Sequence, residues 1–152
     1  MLPFVGSDLA TALIAAQSSL VYDYVARQKV GGIHLTRITL KQLPVPTPLM
    51  LGPHTPFITP RVLELVYTAY DMAGLARDLG DSGAPFRWDE ARRAQTGAEL
   101  DAYFFHLYGI DRPDVDYILE TFQSDSGGLK NNEITKYGTY RTKDLVLAEY
   151  DR

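Results

Sequence analysis

The chain has 152 residues, 45% of them hydrophobic, and a formal net charge of −4. That composition excludes wholesale disorder and suits one domain or two small ones. With no cysteine, a disulfide framework, a thiolate metal site and a Cys nucleophile are excluded. No apolar run reaches the length of a membrane span. The opening MLPFVGSDLATALIAAQ lacks a basic n-region and contains Asp8, so it reads as an amphipathic helix and not a signal peptide. No membrane partner and a cytoplasmic setting are the expectation.

Helix one is predicted from Asp8 to about Lys29, with Ser7 as N-cap. Leu9, Leu13, Leu20 and Tyr24 fall near one face, beside Ile14, Val21 and Val25. Gly31 and Gly32 end it. The β-branched run IHLTRITLKQL then predicts one short strand over 34–40. Next, six of the nine prolines fall between Pro44 and Pro60, a spacing that predicts an extended connector over 44–58. Thr59 as N-cap with Pro60 at N1 opens helix two, which Gly80 closes. Phe86 and Trp88 in the following loop are expected to pack down onto a helix. Helix three covers about 89–108, with Leu100, Tyr103, Phe104 and Leu107 on one stripe and Gly109 as its stop. Asp111 caps helix four, which carries Val115, Ile118, Leu119 and Phe122. Residues 123–135 read as a loop, and a last helix spans about 142–151. The expected core is Leu63, Val66, Tyr70, Leu100, Phe104, Leu107, Ile118 and Leu119.

The fold class is therefore mainly α with a short β segment. Residues 1–43 form a helix–turn–strand unit, 44–58 a Pro-rich connector, and 59–152 a helical, bundle-like C-terminal domain.

Charge is uneven along this layout. Residues 1–58 carry +2, residues 59–122 carry −6, and residues 123–152 are balanced. A phosphate-facing surface should lie near 27–41 or in the last segment, because an acidic face gains little from counterion release. Residues 27–41 hold Arg27, Lys29, Arg37 and Lys41, with His34 among them and no acid. Gly31 and Gly32 allow close backbone approach, and long cations reach phosphates or guanine edges. The plainer reading is a helix C-terminus that favours cations through its dipole, followed by a glycine turn. In KYGTYRTKDLV, Lys136, Tyr137, Tyr140, Arg141 and Lys143 lie close together. Such aromatics and cations can stack on bases and hold phosphates, or the tyrosines can cover the core while the cations are solvated.

Other signals are weaker. His34, His54 and His106 are each isolated, with no metal-ligand spacing. The Gly127–Gly128 pair lacks the Lys-Ser/Thr that a phosphate loop needs. LYGIDRPDVDYILETF has helix-turn-helix spacing, but Asp114, Asp116 and Glu120 on its second helix would repel phosphate. It reads as a plain helical hairpin.

The run SLVYDYVARQKVGGIHLTRITLKQLPVP resembles a late stretch of large adenine-N6 DNA methyltransferases of type IIG restriction-modification and phage-defence systems. There it belongs to the target-recognition region. RVLELVYTAYDMAGLARDLG, PFRWDEARRA, ELDAYFFHLYGIDRPDVDYILETF and YGTYRTKDLVLAEYD resemble, in order, the far C-terminal helical segment of the same proteins. The likeness covers nearly the whole chain. It implies a C-terminal, DNA-recognising or scaffolding piece of such an enzyme. Its partners would be double-stranded DNA, bound weakly by this piece alone, and an upstream methyltransferase domain or a defence-system protein. The family uses S-adenosylmethionine. Neither the glycine-rich motif for that cofactor nor the Asn-Pro-Pro-aromatic motif that grips a flipped adenine occurs here. No catalytic, cofactor-binding or metal residue is expected in this chain. The DNA-binding set is Arg27, Lys29, Gly31, Gly32, His34, Arg37, Lys41, Tyr140, Arg141 and Lys143. A helical protein-interaction module, docking onto a methyltransferase or defence partner, is the alternative.

Overall fold

A computed structural model describes residues 6–30, 34–124 and 127–152. The described chain is mainly helical, as expected. In order come α1 (Ser7–Ser18), α2 (Leu20–Lys29), α3 (Arg37–Leu40), α4 (Pro48–Leu51), α5 (Thr55–Val66), α6 (Ala73–Asp78), α7 (Glu90–Leu107), α8 (Arg112–Glu120), α9 (Leu129–Tyr137) and α10 (Arg141–Tyr150). The predicted strand at 34–40 does not form. Among the described residues the β content is one isolated bridge between Ser124 and Gly127. Thr36 instead accepts a hydrogen bond from the Thr39 N–H and starts the single turn of α3, because a lone strand has no ladder partner to satisfy its backbone.

The chain forms two compact units, Met1–Ser18 with Pro44–Thr96, and Ser19–Leu43 with Gly97–Arg152. Neither is continuous in sequence. The expected core is accordingly divided, with Leu63 in the first unit and Leu100, Phe104, Ile118 and Leu119 in the second. Val66 and Leu107 are half-buried. Tyr70 is 72% exposed and leaves the core altogether; Tyr67 takes the buried position in its place.

In the first unit α1 packs chiefly on α5 and also on α4. Its buried face is Thr11, Ala12, Ala15 and Ala16, not the Leu9–Leu13 stripe. These small side chains recur at helical spacing and let a neighbouring helix approach closely, which leaves Ile14 58% exposed. Ser7 does not cap; its hydroxyl donates to Asp78. The Pro-rich stretch is not an extended connector either. Thr47 caps α4 with Pro48 at N1, and α5 opens at Thr55 with Pro56 in its first turn. Pro at a helix start costs nothing because that N–H is an orphan anyway. Pro60 therefore lies inside α5, and the Thr59 hydroxyl caps nothing: it is buried without a hydrogen-bond partner. Leu63, Tyr67 and Ala76 form a small core with Met72, Ala73 and Leu79 against it. Tyr67 anchors the loop that follows α6. Its hydroxyl donates to the Gly83 carbonyl at 3.0 Å, and its own carbonyl accepts from the Phe86 N–H at 2.8 Å.

The second unit begins with a break that the single long helix of the sequence reading did not contain. Ser19 is extended (φ −72°, ψ 151°), and its hydroxyl accepts from the Tyr22 N–H to cap α2. The neighbouring orphan, the Leu20 N–H, donates to Asp101 Oδ1 of α7 at 2.7 Å. The core combines Phe104, Phe105, Val115, Leu119 and Val146, each fully buried, with Val21 and Phe122. α8 packs on both α10 and α2, and α9 packs on α10. Tyr150 donates to the Ile110 carbonyl at 2.8 Å, tying the end of α10 to the turn between α7 and α8.

Residues 129–135, expected as loop, belong to the helix α9. Gly128 opens α9 at φ 93°, ψ 167° and Gly138 closes it at φ 77°. The first conformation is essentially restricted to glycine, and an added Cβ there would lie 3.0 Å from Gln123 Cα and Ser124 N. A Cβ at Gly138 would meet nothing within 4 Å. Gly138→Ala is therefore expected to cost about 1 kcal/mol, the usual left-handed penalty. Gly128→Ala should cost about twice that. Urea unfolding of both variants checks the order; equal losses would mean that the Gly128 loop relaxes freely.

Candidate nucleic-acid interface

The described residues of the expected DNA-binding set fall in the second unit, but the structure divides them into two groups. Gly31 and Gly32 lie outside the described residues.

The first group is spent within the fold. Arg27 lies in the last turn of α2, one turn after Asp23. Its Nε and Nη2 fork onto that carboxylate at 3.1 and 2.8 Å, and its guanidinium sits 4.9 Å from the Phe122 ring centroid. The hydrogen bond to Asp23 raises the Arg27 pKa further, against a smaller opposing effect of burial. Tyr140 is buried, and its hydroxyl donates to the Leu119 carbonyl at 3.0 Å. Burial, with Glu133 and Glu120 nearby, pushes its pKa well up. The ring is a core anchor and cannot stack on a base. Lys143 pairs with Asp116 at 2.9 Å and with Glu120, which Lys130 also holds. Burial opposes the charge on Lys143, but the bonds to the two acids outweigh it and raise the pKa. The same two lysines hold the Glu120 carboxylate below its ordinary value. Arg141 lies 5.1 Å from the Tyr137 ring centroid, which Lys136 also approaches at 4.7 Å.

The second group is presented outward. Lys29, the last residue of α2, is exposed, and so are His34, Arg37 and Lys41. None of these four has an ion-pair or hydrogen-bonding side-chain partner among the described residues. Arg37 is held at the first position of α3 by the Thr36 cap. The Lys41 N–H donates to the Arg37 and Thr39 carbonyls, which closes the turn. The same segment exposes aliphatic surface, with Leu35 50%, Ile38 74% and Leu40 41% exposed.

The chain matches no known protein-family model, no curated protein and no solved structure.

Elsewhere, His106 stacks on Tyr150 at 3.9 Å and 12° and bonds the Tyr150 carbonyl at 3.0 Å, a surface packing role. On α8, the cation Arg112 is paired with Asp151 at 2.9 Å. That supports a plain hairpin over a recognition helix. No group of three or more metal-ligating side chains occurs among the described residues, and none of the described helices is long and apolar enough to cross a membrane.

Two features were missed in the sequence. Asp101 looks like a surface acid of an amphipathic helix, yet it caps α2 from 81 residues away. Burial raises its pKa to about 7, with the Leu20 hydrogen bond pulling the other way. Nothing local in the sequence signals this. Trp88, expected to pack down, is 66% exposed; the arginines at 87, 92 and 93 around it were the available signal.

Proposed function

We propose that this chain is the C-terminal, DNA-recognising and scaffolding part of an adenine-specific DNA methyltransferase of a restriction-modification or phage-defence system. It would transfer no methyl group itself and would act in the cytoplasm. The reading draws on the ordered likeness of nearly the whole chain to such enzymes. The observation that carries it is the exposed basic segment. Lys29, His34, Arg37 and Lys41 stand in solvent with no acid between 27 and 41 to neutralise them. Cations in that state release phosphate counterions on binding. Arg27 and Lys143, already paired with carboxylates, contribute less. S-adenosylmethionine would belong to the catalytic part of the enzyme.

The test is fluorescence anisotropy on a duplex at low salt, with a Lys29→Ala, Arg37→Ala, Lys41→Ala triple variant. Each lost phosphate contact should reduce the salt slope by about one. Because the whole chain carries −4, binding should be weak and vanish near physiological salt. Equal slopes for the native chain and the triple variant would remove the segment from the interface.

A second reading has its own observation. Leu35, Ile38 and Leu40 are exposed on the same segment, as on a surface that docks another protein. Absence of duplex binding at low salt by the native chain would favour that helical docking module.

A further inference from the structure

Trp88 is the only tryptophan in the chain, and it stands 66% exposed in the first unit. An indole offers a large apolar area, so an ordered, exposed one is informative. The ring is fixed. The Arg93 guanidinium lies 3.9 Å from its centroid, and Arg93 Nη1 donates to the Leu65 carbonyl at 2.7 Å, which ties the cation to the last turn of α5. On the other side, Phe86 is bound through its N–H to Tyr67 and meets that ring edge-on at 6.4 Å. Directly after Trp88, Asp89 accepts from the Arg92 N–H at 2.9 Å and starts α7. The chain on both sides of the ring is therefore pinned. With one face under a guanidinium, most of the remaining exposure belongs to the opposite face and the edges.

The surroundings restrict the guest. A cation already over one face of the indole disfavours a second over the other, which disfavours a lysine, arginine or methylammonium guest. A flat neutral ring stacks there without that penalty. Arg87, next in sequence to Trp88, is exposed and has no partner among the described residues, so it can hold an anion attached to that ring. Two acids of this region are engaged: Asp89 with the start of α7, and Glu64 with Arg92 at 2.7 Å. A nucleotide joins a flat ring to a negative charge, and only an unpaired one offers its face, since a duplex presents base edges. We propose that Trp88, backed by Arg93 and flanked by Arg87, is a stacking platform for an unpaired nucleotide of a nucleic-acid strand.

The emission of Trp88 reports directly on its occupancy. Titration of the full chain with single-stranded oligodeoxythymidylate at low salt should quench it saturably, while a blunt duplex should leave it unchanged. With a labelled oligonucleotide, Trp88→Ala should weaken binding about 5- to 150-fold, the loss of one base stack. Arg87→Ala should flatten the salt slope by about 0.7, the single-strand value for one phosphate. Acrylamide quenching confirms that the ring is open. Free acrylamide quenching without saturable oligonucleotide quenching would overturn the proposal. So would equal oligonucleotide affinity of the Trp88→Ala variant, or saturable quenching by a polyproline peptide alone, which would make the ring a protein-docking site. The platform does not depend on the segment at 29–41. Loss of duplex binding in the triple variant leaves the quenching intact if the two contacts are separate.

Discussion

Phe104→Ala is expected to destabilise the protein by about 3–5 kcal/mol, the usual cost of deleting a buried phenyl ring. The ring is fully buried on the half of α7 that belongs to the second unit. Its neighbours in sequence and along the stripe, Phe105 and Leu100, are buried too. A close-packed core collapses only partly around such a void, so the lost contacts add to the lost transfer energy. Tyr70→Ala is the internal control. That residue shares the helical spacing of the first-unit stripe but is 72% exposed, and its loss should stay within about 0.5 kcal/mol. Urea unfolding followed by circular dichroism measures both. A Phe104→Ala loss as small as the control's would take the ring out of the core.

The contrast between these two residues marks what was legible in the sequence. Helices α7, α8 and α10 follow from apolar spacing, with Gly109 taking the positive φ of 66° where a stop was expected. Spacing fails where the deciding contact is not local. Leu9, Leu13, Leu20 and Tyr24 suggested one helix, but a cap from Ser19 and a carboxylate 81 residues away divide it. β-branched residues at 34–40 suggested a strand, but a strand needs a partner and none of the described segments provides one. The proline spacing suggests an extended connector, whereas Pro48 and Pro56 sit at helix starts, where proline is favoured. The candidate interface was legible as a list of cations. Which of them remain available was not, because Asp116 and Glu120 come to Lys143 from another helix. Asp23, one turn from Arg27 on the same helix, is legible as its partner from the i, i+4 spacing alone.

Asp101→Asn should stabilise the protein above neutral pH by about 1–4 kcal/mol, with the gain fading toward pH 4. Burial raises the folded pKa to about 7 from an ordinary 3.8. Between those values the folded state holds a proton that the unfolded state has released. Stability therefore falls as pH rises through this window, by about 1.4 kcal/mol for each unit of pH at most. Above pH 7 the folded protein carries a poorly solvated carboxylate at full cost. Asparagine keeps an oxygen to accept the Leu20 N–H, now bonded at 2.7 Å, and cannot ionise. One effect opposes this: the start of α2 carries a partial positive charge that favours an anion, by about 0.3–1 kcal/mol in exposed cases and up to about 2 in partly buried ones. The desolvation of a carboxylate is the larger quantity, so the neutral side chain should win. Urea midpoints of the native chain and the variant at several pH values between 4 and 8 decide it. A variant that is less stable at pH 8, or a difference that does not change with pH, would mean that the helix terminus and not burial governs this carboxylate.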